Sequence, residues 1–287
     1  MGSGSWDASS FCAYTTSLKE MAVDSSGSIA GSYSAQEYFK ENKLNGMLDP
    51  KNVIRECCDS EEHPNTKPVI LALDVTGSMG ETAVEVAKQL NVVMTRLYEE
   101  LEDVQFMIMG IGDLAYDHAP IQASQFESDI RIAEQLDKIY FEFGGGGNAF
   151  ESYTAAWYFG SRHTKLDCWE RGQKGIIITL GDEQLNPYLP ATPLTICTGD
   201  NLQGDIDTKD LYKEVSEKYD IFHIQVNHRY FKDPHISTSW SAILEDGHYR
   251  EAEINGVVDE ICDIIISGYQ DKKENVEQTE GLAEISW

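Results

Sequence analysis

Three unbroken apolar runs constrain this chain more than any other feature. PVILAL (68–73), VQFMIMGIG (104–112) and GIIITL (175–180) lack the polar alternation of a half-exposed strand. Runs of that kind belong to strands covered on both faces. Between them the period changes to that of helices: Ala83, Val86, Leu90, Val93 and Leu97 recur at three and four, predicting a helix over 81–101. A helix is expected near 127–137, then a short strand at KIYFEF (138–143), then an apolar helix, AFESYTAAWYF, opened by GGGGN. In that helix Trp157, Tyr158 and Phe159 are expected to pack against the sheet. Leu211, Val215 and Tyr219 mark another helix, IFHIQV (221–226) a further strand, and Ile254, Val257, Val258, Ile261 and Ile265 a last helix over 253–268. Strand–helix alternation predicts an α/β, doubly wound fold: a mainly parallel central sheet with helices on both faces.

The flanks read differently. Residues 1–66 are rich in Ser and Gly, with one short helix expected at SAQEYFKEN, where Ser34 and Glu37 have capping-box spacing. They are expected to form an N-terminal extension that wraps a main domain at 67–269, and residues 270–287 an acidic, loosely held C-terminal tail.

Charge removes whole classes of function. With 49 acidic against 22 basic residues the formal net charge is -27, which repels a phosphate backbone, so no nucleic-acid partner is expected. Hydrophobic residues make up 41%, enough for a sizeable core. No stretch approaches the ~18 apolar residues that span a bilayer, so no membrane partner is expected. The opening MGSGSWDASS has neither an apolar core nor a basic flank, so no signal peptide is expected either. The six cysteines contain no C-x-x-C pair, and reduced thiols in a cytoplasmic protein are the expectation.

Ligands of open parallel sheets sit outside the carboxyl ends of the strands, where the topology switches. The segments leaving the expected strands are DVTGS, GIGD, LGDEQ and NHRY, and with GGGGN they should converge on one edge. Asp74, Thr76 and Ser78, spaced two apart, are the centre of that edge. Three chemistries could use them. Phosphate cradling by GGGG is possible at a helix start, but GxxxxGK[ST] is absent, as is a G-x-G-x-x-G after the first strand. Asp-x-Thr-Gly also looks like the nucleophile motif of haloacid-dehalogenase-type phosphatases and phosphotransferases, with Asp74 attacking phosphorus and Asp182 holding Mg²⁺. That family needs a lysine near the phosphate, whereas Lys174 lies at the entry of its strand, about five residues or ~17 Å from the site end.

The third is the most specific. Asp74-Val75-Thr76-Gly77-Ser78 resembles the D-x-[ST]-x-S motif of von Willebrand factor A (VWA) domains, which carry a metal-ion-dependent adhesion site (MIDAS). The helix after it, the later glycine loop and an aspartate after the next strand follow in the family's order, over roughly residues 67–268. The D-V-T-G-S-M-G core is most similar to intracellular bacterial and phage members. The resemblance implies a non-catalytic binding module. Its Mg²⁺ (or Mn²⁺/Ca²⁺) would be held by Asp74, Thr76, Ser78, Asn148 and Asp182. The ion would complete its coordination with an acidic side chain of a partner protein, by family analogy an AAA-type ATPase. Two departures stand out: Asn148 where the glycine loop usually has threonine, and Leu180-Gly181-Asp182-Glu183 where the family often reads T-D-G.

The chemistry agrees on independent grounds, since Mg²⁺ takes about six oxygens and keeps several waters. Two hydroxyls two residues apart in a turn can face one ion, and an amide oxygen at Asn148 is an acceptable hard ligand. Ser152 and Thr154 are weaker candidates on the same helix. The plain alternative is a helix cap, in which Asp, Thr and Ser merely satisfy orphan N–H groups. Asp113 reads as a loop cap bordering the site. His223, His228 and His235 match no common zinc spacing and read as core or rim residues.

Overall fold

The computed structural model describes residues 4–143, 150–227 and 233–283, side chains being described up to residue 270. Among them, six strands form the central sheet: β1 (Lys67–Asp74), β2 (Val104–Ile111), β3 (Ile121–Ala123), β4 (Gly175–Gly181), β5 (Tyr219–Val226) and β6 (Tyr249–Ala252). Their spatial order is β6-β5-β4-β1-β2-β3, all parallel except β3. Sequence order reverses between β1 and β4, which makes the crevice beyond their carboxyl ends the switch point of a doubly wound fold.

Period-two alternation splits each central strand between two cores. Val69, Leu71 and Leu73 of β1 join Ile176, Ile178 and Leu180 of β4 on one face, beneath α1 (Gly80–Lys88), α2 (Leu90–Glu100) and α6 (Val257–Ala283). Ile70, Ala72 and Ile177 face the other way, against α3 (Thr154–Arg162), α4 (Thr208–Ser216) and α5 (Pro234–Ser241). Trp157, Tyr158 and Phe159 of α3 are fully buried there. Burying each such side chain contributes about 1.5–3 kcal/mol against leaving it in water.

Residues before β1 share the first of these cores. Phe11, Met21, Ile29, Tyr38, Phe39 and Leu48 are buried in the same cluster as Leu90 and Val93. Ala35 sits so close to Gly80 that a Cβ at Gly80 would come within 2.8 Å of the Ala35 Cβ. A helix at Ala8–Leu18, capped by Asp7, adds to the expected Ala35–Tyr38 helix, whose capping box of Ser34 and Glu37 is present. Arg55–Cys57 pairs in parallel with Thr164–Leu166, and Arg55 Nη2 donates to the Ala123 carbonyl at 2.8 Å.

Four expectations are corrected. The strand expected at 138–143 is absent among the described residues, and the edge beside β2 is taken by β3 instead. Gln122 of β3 supplies the reason: its amide donates to the Tyr140 carbonyl (2.7 Å) and accepts from the Tyr140 N–H (2.9 Å), so a side chain satisfies the backbone there. The helix expected over 81–101 is broken at Gln89, where φ and ψ leave the helical region (-94°, 6°). The apolar helix begins at Thr154, and Phe150–Glu151 before it pair with Gln184–Leu185. The last helix continues to Ala283 rather than ending at 268.

Candidate functional site

Asp74 closes β1 at the switch point and is 1% exposed. Its Oδ1 accepts from the Thr76 N–H (2.8 Å) and the Thr76 hydroxyl (2.6 Å), which folds the chain into a tight turn before α1. The Thr76 and Ser78 hydroxyls stand 3.4 Å apart, with Ser78 exposed. Because Thr76 gives its proton to Asp74, its lone pairs are directed away from the carboxylate. Asp182 follows β4 directly across the crevice.

The second oxygen of Asp74 has a partner that the sequence did not reveal. Tyr153, one residue before α3, donates to Asp74 Oδ2 at 2.8 Å, and its own oxygen accepts from the Glu183 N–H at 3.3 Å. Tyr153 is 1% exposed. It reaches that position because residue 181 is glycine: a Cβ there would collide with the Tyr153 hydroxyl and ring. The departure from T-D-G is therefore coupled to the tyrosine. Glycine at 181 and tyrosine at 153 fill one space.

The electrostatics at this edge are one-sided. Burial pushes the Asp74 carboxyl up to about 7 and the Asp182 charge adds to it, against the Thr76 and Tyr153 hydrogen bonds. Glu151, 6% exposed, is pushed up to about 9 by burial and then by Asp74, Asp117, Asp113 and Glu183. Its Oε2 is buried and has no hydrogen-bond partner among the described residues. Burial also raises Glu183, helped by the charges of Asp182 and Asp233. Among the described residues no ion pair reaches Asp74 or Glu151. A cation would relieve this crowding, so the donor set fits a hard divalent ion of modest charge demand. No group of three or more His, Cys, Asp or Glu side chains among the described residues is placed to hold a metal. Any ion here would therefore depend on the Thr76 and Ser78 hydroxyls.

Asp74, Thr76, Ser78 and Asp182 are thus brought to one edge. Asn148 and the glycines at 144–147 lie outside the described residues, as does His228. Ser152 and Thr154 are occupied otherwise: Ser152 Oγ accepts from the Leu114 N–H (3.0 Å), and Thr154 Oγ1 accepts from the Asn186 amide (2.6 Å). Asp113 caps its loop, accepting from the Ala115 N–H at 2.7 Å. His223 is a core residue, stacked on Trp240 with ring centroids 3.6 Å apart. Lys174 is at the opposite edge, 3.4 Å from Asp220. Glu151 and Tyr153 were the residues missed. Their only trace in the sequence is their place just after the glycine loop.

Beside Asp182 and Glu183 a cavity of about 500 Å³ opens toward Gln225, Asn227, Asp233 and Glu251. A smaller one of about 180 Å³ lies on the other side, at Asp113, Glu151 and Tyr188.

No protein-family model and no curated protein matches this sequence. Among solved structures, the pilus adhesin SpaC from Lactobacillus rhamnosus GG is similar over 75% of this chain, with a TM-score of 0.51 and 12% identity. The likeness is one of fold. It is the doubly wound, Rossmann-like and VWA-like α/β arrangement, and this chain spans about a third of that adhesin, 32% of its length. BatB from Bacteroides thetaiotaomicron aligns over 71% of this chain and 99% of its own at 18% identity and TM-score 0.42. An aerotolerance-related membrane protein from Bacteroides fragilis aligns over 69% and 98% at 16% and 0.41.

Proposed function

We propose that this chain is a non-catalytic, metal-dependent protein-binding module of the MIDAS type. Thr76 and Ser78 would bind a divalent cation (Mg²⁺, or Mn²⁺ or Ca²⁺) through their hydroxyls, with Asp74, Asp182 and the Asn148 amide completing the protein's share. An acidic side chain of a protein partner would take the remaining position. The observation that carries this reading is the Asp74–Thr76–Ser78 turn at the switch point, with the Thr76 proton committed to Asp74. A cap alone needs no second hydroxyl beside the first, and no buried carboxylates facing it.

The partner's class comes from the resemblance, which suggests an AAA-type ATPase in the cytoplasm. The charge of -27 argues against nucleic acid. No helix among the described residues is long and apolar enough to cross a membrane. The phosphatase reading, with Asp74 as nucleophile, is less well supported, because both Asp74 oxygens accept hydrogen bonds and Lys174 is at the far edge.

Calorimetric titration with Mn²⁺ tests the proposal on the parent, Thr76→Ala, Ser78→Ala, Asn148→Ala and Asn148→Thr. The first three substitutions should weaken binding, whereas threonine at 148 should largely preserve it. Equal Mn²⁺ binding by parent and variants would overturn the metal site. Mg²⁺-dependent phosphatase turnover abolished by Asp74→Asn would replace this reading with the catalytic one.

A further inference from the structure

The chain before β1 touches the hydroxyl-bearing turn more closely than a wrapping segment needs to. Ala35, the first residue of the Ala35–Tyr38 helix, is buried against Gly80, the first residue of α1. Gly80 has ordinary helical angles (φ -57°, ψ -40°), so its backbone does not call for glycine. On helix propensity alone, alanine would be the better residue there. Space is what requires glycine, since an added Cβ would stand 2.8 Å from the Ala35 Cβ. At the other end of α1 the Ile29 N–H donates to the Lys88 carbonyl at 2.9 Å. The extension thus grips the first and last residues of the helix that follows the turn.

A second line of contact reaches the turn through aromatic rings. Phe39, buried at the end of the same short helix, stacks on Phe141 with ring centroids 4.4 Å apart. Phe141 packs in turn on Phe143 at 5.6 Å. The φ of Phe143 is 51°, a left-handed conformation uncommon outside glycine that surrounding packing must hold. Between these two rings the Glu142 N–H donates to the Val75 carbonyl at 3.2 Å, and Val75 stands between Asp74 and Thr76. Packing on Phe39 therefore bears on the backbone of the turn itself.

Within the turn there is less to fix it. Thr76 bonds to Asp74, but no side chain caps Gly77–Met79 or the start of α1. Mg²⁺ takes its oxygens at ~2.0–2.1 Å in a nearly octahedral array, so both hydroxyls must be placed closely to reach one ion. We propose that the N-terminal extension is part of the ion site, with Ala35 and Phe39 as positioning residues that hold Thr76 and Ser78 in register. The proposal rests on the metal-dependent reading of this edge and adds a second segment of the chain to it. Tyr14 supplies the contrast: its hydroxyl ties the extension to Asp137 (2.7 Å), a residue of neither the turn nor α1.

The test uses the full chain and two readouts, Mn²⁺ affinity by calorimetry and the ¹⁵N amide shifts of Thr76, Gly77 and Ser78 in chelator. Gly80→Ala should weaken Mn²⁺ about tenfold, the scale on which lost outer support weakens a metal site. Ala35→Gly and Phe39→Leu should each weaken it about threefold, and all three variants should move the three amides. The Ala35→Gly, Gly80→Ala double variant again places one methyl group between the helices, and should recover to within about twofold of the parent. Tyr14→Phe should lower the melting temperature while leaving Mn²⁺ affinity and those amides unchanged. Parent-like affinity in Gly80→Ala and Phe39→Leu would overturn the proposal and leave the metal site standing. So would a double variant that fails to recover. Loss of affinity in Tyr14→Phe equal to that in Phe39→Leu would reduce the effect to overall stability and overturn it as well. A parent that binds no Mn²⁺ would overturn the metal site and this role with it. Should Gly80→Ala fail to fold, Ala35→Gly and Phe39→Leu decide the matter.

Discussion

The two edges of the central sheet treat charge in opposite ways. At the amino edge, buried or half-buried ionisable side chains meet acidic groups or carbonyls. His63 faces Asp103 (3.1 Å), Lys174 faces Asp220 (3.4 Å), and Lys218 Nζ donates to the Thr164 carbonyl (2.5 Å) and to those of Gly160 and Ser161. At the carboxyl edge, Asp74, Glu151, Asp182 and Glu183 are gathered at the switch point, where burial first and neighbouring carboxylates second raise Asp74, Glu151 and Glu183. Groups serving only the fold are paired within the chain, as at the amino edge. Carboxyl groups crowded at one edge, with no ion pair to Asp74 or Glu151 among the described residues, are a cost to the fold, which something bound from outside can offset.

Breaking a pair at the amino edge should produce the largest effect. Asp103→Ala removes the partner of the buried His63 and of the Asn65 N–H (3.0 Å). It should cost about 3 kcal/mol in urea denaturation. A loss below about 1 kcal/mol would mean that the amino edge is not held by its pairs.

At the carboxyl edge the sign reverses. Asp74→Asn removes one of the crowded charges, so the ion-free protein should be no less stable than the parent. In the parent, Mg²⁺ at a hundredfold excess over its dissociation constant should add about 2.7 kcal/mol. The variant should lose that gain. A melting temperature indifferent to millimolar Mg²⁺ or Mn²⁺ in the parent counts against the contrast.

An interior histidine sharpens the comparison through pH. Burial pushes His223 down to about 3 from an ordinary value of 6.5, so the folded form holds it neutral while the unfolded chain takes up a proton below 6.5. The unfolded state thus binds more protons between these values, and stability falls as pH falls through that window. It is fully retained above it. The expected slope between pH 6 and pH 5 is about 1.4 kcal/mol at most. Chemical denaturation of His223→Phe should show a flatter profile. A parent profile that is already flat would show that the ring charges without cost.

The smallest effect on stability belongs to Ser78→Ala. Its hydroxyl is exposed and makes one long contact among the described residues, 3.4 Å to Thr76, so folding should change by no more than about 0.5 kcal/mol. Ion affinity should nevertheless drop about tenfold, as expected of a direct ligand. An equal loss in both measurements would make Ser78 a cap.

Much of the fold is legible in the amino-acid sequence. The runs at 68–73, 104–112 and 175–180 become β1, β2 and β4, and Asp74 and Asp182 stand at their ends. Such features are local, because a doubly covered strand must be apolar throughout and a turn after it needs small polar residues. KIYFEF misled for an instructive reason: its apolar residues do enter the core, Phe141 stacking on Phe39 at 4.4 Å, but without a ladder. Burial alone does not make a strand, since Gln122 satisfies the Tyr140 backbone from a distance of 18 residues.

The sequence by itself determined the layer architecture, the direction of the sheet and the acidic, hydroxyl-bearing turn at its switch point, because hydrophobic period and turn chemistry act over a few residues. The tertiary structure alone decided which groups meet there. Tyr153 reaches Asp74 across 79 residues, through space that only glycine at 181 leaves open. Glu151 owes its place to a two-residue pairing with Gln184–Leu185, too short to leave a periodic signal. Contacts of that kind depend on the shape of the packed chain, and no window of sequence contains both partners.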